Sequence, residues 1–485
     1  MFDLSQDNTM RIAVIGAGPA GITAAYQLSK KITKHNITKL NLYEAGSDVG
    51  GLSRSIELWN QTVDLGPHRF FSDDKRINEL WLEVVGNDFD MVNRQTRIFY
   101  KKRFFDYPLK ATNALKNMGL IEAGLCILSY LKEKIVPTKK EDTFEWWVTN
   151  RFGKRLYRMF FKTYSEKLWG IKCTELDSDF AAQRIKKFSM GEAIKSALFG
   201  NSGKHKTLVD IFAYPNKGTG SVYMRMKNMI EQNGGTVMLN TPVKRILTKN
   251  ERAYALELEN GKIEEYDYII STMPISLMVT RLPDVPQSIV EQAQKLKFRN
   301  TILVFLKVES ENLFTDQWLY VHSAGIEMGR ITNFRNWLPT LYGNEKNTIL
   351  CVEYWANLED QLWKDNDTTL IEMAKKEVVL SGLNNGAEIT EGHVYRLPRC
   401  YPVYFSGYKQ TMKPIEEYLD SVDGLSVIGR YGSYKYNNQD HSILMGIMAA
   451  ENILDSKNHN LWEINTDYES YQESSVITKT GLQKK

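Results

Sequence analysis

The sequence predicts a doubly wound α/β fold interleaved with a helical insertion and an antiparallel-sheet substrate domain. Three observations predict it. An apolar run, Arg11 to Ile15, passes directly into Gly16-Ala17-Gly18-Pro19-Ala20-Gly21 and then into a helical pattern. Apolar runs of the buried-strand kind return far downstream, at 267–273 and 425–428. The stretches between them change character, mostly helical from about Lys75 to Gly200 and strand-rich from about Ile275 to Val422. With 485 residues the chain exceeds what one compact core accommodates, so several structural units are expected.

The first unit is the most specific. Gly16, Gly18 and Gly21 stand in GxGxxG spacing, followed by Ile22, Ala25 and Leu28 at helical intervals and by a second strand, KLNLYE, ending in Glu44. Gly16 permits the tight turn, Gly18 lets the backbone approach a pyrophosphate, and Gly21 lets the helix pack closely on the strand. The helix N-terminus offers free N–H groups and the positive end of its dipole to phosphates. Glu44, 23 residues past Gly21, is placed to accept from ribose hydroxyls. Strand, glycines, helix, strand and acid in this order predict a dinucleotide site, with NAD and FAD both open at this step. A second glycine pair follows in Asp48-Val49-Gly50-Gly51-Leu52, with Arg54 placed either at the pyrophosphate or at the surface.

Later segments are expected to return to that site. GGTVMLNTPV (Gly234 to Val243) reads as a strand and turn, Asn260-Gly261 as a hairpin turn, and DYIISTM (Asp267 to Met273) as a buried strand stopped by Pro274. Leu425 to Ile428 is a last strand, Gly429 opens a loop, and Ile443 to Leu454 is an apolar helix. The expected organisation is cofactor-binding parts at 1–74, 206–274 and 423–456, a helical insertion at 75–205, a sheet-rich substrate domain at 275–422 and a tail at 457–485 that wraps or frays. In the insertion, Asp142 and Glu145 form a capping box before the apolar stripe Phe144, Trp147 and Val148. The run Leu120 to Val136 carries Glu122, Lys132, Glu133 and Lys134; it is too short and charged to span a bilayer and reads as a buried helix.

Composition narrows the class. The 62 basic and 58 acidic residues nearly balance, which argues against a nucleic-acid wrap and leaves room for a local basic pocket. Four cysteines, Cys126, Cys173, Cys351 and Cys400, form no CxxC pair, so neither a zinc site nor a redox dithiol is indicated. The polar opening MFDLSQDNTM carries no secretory pattern, and a cytoplasmic enzyme is the expectation. No transmembrane segment is expected, and homo-oligomerisation stays open.

A set of motifs points further. The second glycine pair resembles the FAD family that includes amine oxidases, protoporphyrinogen oxidase and UDP-galactopyranose mutase. Within it the chain resembles UDP-galactopyranose mutase, in its longer eukaryotic-type branch, over about Ile12 to Asn452. GPHRFFS (Gly66 to Ser72) is similar to that family's flavin-proximal loop, and DYP (Asp106 to Pro108) to its tyrosine–proline segment. KTYSEKLWG (Lys162 to Gly170), Gln183-Arg184, YPNKGTGSV (Tyr214 to Val222), QWLY followed by Arg330, CYP (Cys400 to Pro402) and GRYGSYKYNNQDHS (Gly429 to Ser442) follow in family order.

The resemblance implies roles. Gly16, Gly18, Gly21, Glu44, Gly51, Leu52, Val243, Gly429, Arg430, Gln439, Asp440 and Ser442 would hold FAD. His68 would stand beside the flavin, and Arg184 and Arg330 would clamp a diphosphate, for which a guanidinium is suited because it binds bidentately and stays charged. Tyr107, Trp169, Tyr320, Tyr401, Tyr436 and Asn438 would line the pocket for a nucleotide-sugar substrate. Each of these also has an ordinary structural reading, as a surface arginine, core aromatic or satisfied histidine. The implied activity is interconversion of UDP-galactopyranose, or a related NDP-sugar, and its furanose form through a sugar adduct at N5 of reduced FAD, for cell-surface polysaccharide biosynthesis. NAD(P)H would be the reductant. Pro67 and Ser165 depart from the family pattern, and the loop before Asn438 is short, which leaves room for another sugar nucleotide. The alternative is a hydride-abstracting FAD oxidoreductase of the amine oxidase, protoporphyrinogen oxidase or desaturase kind.

Overall fold

The computed structural model describes residues 9–107, 109, 111–185, 211–464, 475–479 and 481–484, without the side chains of 111, 112, 115, 182–185, 475, 483 and 484. Met10–Ile15, whose last four residues are buried, lies at the centre of a five-stranded parallel sheet. Its order is Leu425–Val427, Tyr268–Ser271, Met10–Ile15, Ile37–Tyr43, Thr236–Met238. Strands from three distant parts of the chain therefore meet in one sheet, as the returning apolar runs predict. Parallel strands need cover on both faces, which explains their continuous apolar character. Helices Pro19–Ser29, Gly220–Gln232 and Gln439–Leu454 share one apolar core with it. The first and last of these helices nearly touch: a Cβ on Gly446 would lie 2.5 Å from the Ala20 carbonyl.

The second large sheet has seven strands, in the order Ile389–Pro402, Phe298–Val308, Thr348–Ala356, Arg330–Asn333, Trp318–Val321, Thr96–Tyr100, Arg103–Asp106. All its pairings are antiparallel except Trp318–Val321 with Thr96–Tyr100, which is parallel. Strand alternation gives it two faces. Ile302, Val304, Leu306, Ile331 and Val352 pack on one side with Leu370, Ala374 and Val378 of helix Asp367–Ser381. Leu303, Arg330, Glu353 and Trp355 take the opposite alternation. A small antiparallel sheet, Val243–Lys249, Arg252–Leu258 and Ile263–Glu265, contains the hairpin expected around Asn260-Gly261.

The stretch 75–205 is mostly helical among its described residues, but Phe89–Asn93, Thr96–Tyr100 and Arg103–Asp106 within it are strands, and the last two extend the seven-stranded sheet. Their turn is made by Lys101 and Lys102, both with positive φ (50° and 59°), the backbone a two-residue hairpin requires but usually takes from Asn-Gly. Two expectations are corrected. Helix Phe144–Phe152 is capped by Thr143, whose hydroxyl accepts from the Trp146 N–H at 3.2 Å; Asp142 lies one residue too early for that geometry. The helix Leu120–Ile135 forms, but it is not buried. Leu120, Ile121, Leu128 and Ile135 are largely exposed, because only the opposite side of the helix packs on the protein. No helix among the described residues is long and apolar enough to cross a membrane. In the tail, Leu461, Trp462 and Ile464 are buried, and the Trp462 indole donates to Asp420 at 2.7 Å.

Candidate active site

The glycine turn is shaped by backbone close to backbone. Gly16 has φ +91°, and a Cβ on Gly21 would lie 2.0 Å from the Gly16 carbonyl oxygen. Helix Pro19–Ser29 therefore starts directly against the end of the first strand, with Gly18 as its N-cap. Glu44 directly follows the second strand and is fastened to the same turn: one carboxylate oxygen accepts from Ala17 N–H (2.7 Å), the other from Gly46 N–H (2.8 Å). The second glycine pair folds onto the first. Gly50 N–H donates to the Ala17 carbonyl at 2.8 Å, and a Cβ on Gly51 would meet Gly18 Cα at 3.0 Å. Arg54 donates to the Gly51 carbonyl (3.1 Å) and to the Tyr395 hydroxyl (2.7 Å). Val243 opens its strand just past Thr241, whose N–H donates to the Glu44 carbonyl.

The returning segment closes this region. Gly429, at φ +83°, lies over Ala20, and Ser442 is buried near the start of helix Gln439–Leu454. Asn438 caps that helix in a capping box with His441, Gln439 accepts from the Tyr223 hydroxyl at 2.5 Å, and Asp440 pairs with His441 at 3.1 Å. A side-chain-free turn at a helix N-terminus, with a ribose-seeking carboxylate at its edge, fits FAD.

Next to this cradle is a cavity lined by Leu52, Pro67, His68, Arg330, Tyr401, Arg430, Tyr436 and Asn438, among others. Tyr401 and Tyr436 stack at 5.4 Å between centroids and 18° between planes. The Arg430 guanidinium sits 4.8 Å and 4.4 Å from those two centroids, and it donates to the Cys400 and Asn437 carbonyls at 2.7 and 2.9 Å. Arg430 thus brings positive charge held by carbonyl oxygens. Arg330 differs: its Nε and Nη2 both donate to the Glu353 carboxylate, Nη2 at 2.5 Å. Burial opposes the Arg330 charge, and Glu353 outweighs it, so the proton is held even more firmly than in an ordinary arginine.

The pairing follows from register. Tyr320, Arg330 and Glu353 are direct cross-strand partners on three consecutive strands. Sequence reasoning missed Glu353, although a lone carboxylate in TILCVEYWA, a strand buried at all nine positions, is a legible signal that a cation must face it. It also missed Tyr164, which stacks on His322 at 4.7 Å and meets Tyr320 edge-on at 5.6 Å, and which follows a π-helical turn at Arg158–Lys162.

Among the residues expected to line the pocket, Tyr107 and Tyr320 pack on each other at 5.0 Å, and Tyr107 is 41 % exposed. Trp169 is buried behind the stacked pair, edge-on to Tyr401 (6.2 Å) and Tyr436 (5.9 Å). Arg184 belongs to helix Ser178–Ile185, and its side chain lies outside the described residues. That helix does reach the site, since Phe180 meets Trp169 at 4.7 Å and Tyr436 at 6.2 Å.

Burial, then the charges of Arg330 and Arg430, push His68 down to about 3. Burial, then Lys167, does the same to His322, also to about 3. Unfolded, each titrates near 6.5, so between 6.5 and about 3 the unfolded chain binds more protons and stability is lost as pH falls. Asp64 acts in the opposite sense: burial raises it from 3.8 to about 6, so its contribution is present below 3.8 and lost as pH rises through 6. The contributions of the two histidines are therefore expected to be lost as pH falls below 6.5, while that of Asp64 is gained. In His322→Asn the thermal midpoint should fall less steeply over that interval; an unchanged slope would remove His322 from the account.

A model of the flavin containing amine oxidoreductases matches residues 19–454 of this chain. A coproporphyrinogen III oxidase of Staphylococcus aureus (strain NCTC 8325 / PS 47) is 22% identical over 484 aligned residues, covering 92% of this chain and 99% of that protein. A coproporphyrinogen III oxidase of Bacillus subtilis (strain 168) is 22% identical, covering 86% and 92%. Among solved structures, reduced UDP-galactopyranose mutase superposes with a TM-score of 0.83 at 22% identity, covering 95% of this chain and 96% of that one. At such identity the superposition speaks for the fold alone.

Proposed function

The chain belongs to the flavin containing amine oxidoreductases, and from that premise we propose that it works as an FAD-dependent sugar-nucleotide mutase. Its substrate would be UDP-galactopyranose or a related NDP-sugar, interconverted with the furanose form. The observation that carries this reading is the cavity beside the cofactor cradle, walled by two guanidiniums, stacked phenols, an imidazole and an amide. A departing diphosphate calls for cations and phenolic donors.

Reduced FAD, when bound, supplies the nucleophile, and NAD(P)H is its proposed reductant. The chain's own residues then bind and orient. Arg430 supplies positive charge that no carboxylate offsets among its described partners, and Arg330 offers its remaining Nη1 donors. Tyr401 and Tyr436 are assigned the substrate's phosphates and base, and Arg184 a second contact to the diphosphate. His68, kept neutral by burial, can donate from one ring nitrogen and accept at the other beside the flavin.

A second reading, oxidation of a substrate by oxidised FAD, has its own observation. Glu353 already neutralises Arg330, which weakens a two-arginine clamp. One experiment separates the two. The purified protein, reduced with dithionite under nitrogen, is offered a panel of UDP- and dTDP-sugars; oxidised and aerated, it is offered coproporphyrinogen III and amines. Furanose product only from reduced protein is the expected result. Turnover only when oxidised, with peroxide released, would replace the mutase by an oxidase.

A further inference from the structure

Helix Leu120–Ile135 turns its apolar side away from the protein. At about 100° per residue, Leu120, Ile121, Gly124, Leu128, Leu131 and Ile135 share one sector of about 100°, and Leu120, Ile121 and Ile135 are 84, 83 and 79 % exposed. Its two acids face the opposite way. Glu122 pairs with Arg155, and Glu133 is buried, accepting from Thr138 N–H (2.7 Å) and Oγ–H (3.0 Å). Lys132 and Lys134, both exposed, flank the apolar sector on either side; Lys139 and Lys140 follow and are balanced by Glu141 and Asp142. At about 24 Å the helix is shorter than the ~30 Å of a bilayer core.

A second observation lies beside it. A cavity of about 920 Å³ is bordered by this helix, by the Lys101–Lys102 hairpin and by helix Lys154–Tyr157, which itself touches the first helix where Arg155 N–H donates to Ser129 Oγ at 3.1 Å. Lys101, Arg103, Lys132, Lys154 and Arg158 line it, together with the Arg155–Glu122 pair and with Glu133, which accepts from Thr138. The combination is an apolar strip with cationic flanks and an adjoining cationic hollow.

We propose that this face seats the protein on an anionic lipid bilayer. The helix lies in the interfacial plane with its apolar sector among the acyl chains, while the flanking lysines and the cationic cavity receive headgroup phosphates. A second copy of the chain fits less well. A two-fold contact would bring cationic flanks and hollows of the same sign together.

The test is co-sedimentation of the full chain with vesicles of phosphatidylcholine containing phosphatidylglycerol, against phosphatidylcholine alone. Binding should be at least about tenfold stronger to the anionic vesicles and should weaken with salt. Leu128→Ser/Ile135→Ser should lose it about tenfold, with an unchanged thermal midpoint because both side chains point to solvent. Lys132→Glu/Lys134→Glu should abolish the preference for phosphatidylglycerol. No vesicle binding, or binding untouched by both variants, overturns the proposal. So does a dimer in solution that Leu128→Ser/Ile135→Ser converts to monomer, which would give the face to a second copy.

Discussion

Glu353→Ala is expected to lower folding stability by about 3–5 kcal/mol, read from chemical denaturation. The carboxylate is 1 % exposed and takes both Nε and Nη2 of Arg330. Removing it leaves a guanidinium in an enclosed site without its counter-charge. Typical stabilities of about 5–15 kcal/mol leave little margin after such a loss. The reverse deletion, Arg330→Ala, strands Glu353 in the same way, so its effect on ligand binding would be confounded with unfolding. The double variant Arg330→Met/Glu353→Leu separates the two, because replacing a buried pair by apolar residues of similar volume is often neutral. It is expected to fold near parental stability and to bind UDP at least about tenfold more weakly, by calorimetry. Parental UDP affinity in that folded double variant would assign Arg330 to the sheet and leave Arg430 as the cation of the site.

Why the sequence revealed the cofactor cradle better than the substrate side follows from how each is built. The cradle is local: strand, Gly16, Gly18, Gly21, helix and Glu44 lie within one short span, and Glu44 bonds back to Ala17 and Gly46. The motif therefore states its own geometry. The substrate side is a product of long-range register. Tyr320, Arg330 and Glu353 meet only because three strands align, and Thr96–Tyr100 joins them through a parallel pairing with Trp318–Val321 from far downstream. Nothing near Thr96 announces that partner, and the Lys101-Lys102 turn lacks the glycine that marks most such hairpins. Helix Leu120–Ile135 shows a further limit. Its periodicity is correct, but an apolar face alone does not say whether it meets the core or something outside the chain.

Gly21→Ala is expected to yield protein that has lost FAD affinity by at least about a hundredfold, about 2.7 kcal/mol. The measurement is flavin absorbance after gel filtration, followed by titration with added FAD. The added methyl would lie 2.0 Å from the Gly16 carbonyl oxygen and 3.2 Å from the Gly16 carbonyl carbon, and neither can swing aside as a side chain could. Relief requires helix Pro19–Ser29 to move away from the end of the first strand. That shift displaces the helix N-terminus, where the amides that would receive the pyrophosphate are concentrated. It also works against the contact with helix Gln439–Leu454, where Gly446 already lets the Ala20 carbonyl approach closely. The same exchange elsewhere should have the opposite sign. A Cβ on Gly124, within helix Leu120–Ile135, meets nothing within 4 Å. Gly124→Ala is therefore expected to stabilise the helix by about 0.5–1 kcal/mol and to leave the flavin in place. If Gly21→Ala kept its flavin as well as Gly124→Ala does, the close approach of helix to turn would not be what holds the dinucleotide, and Glu44 with the second glycine pair would have to account for it.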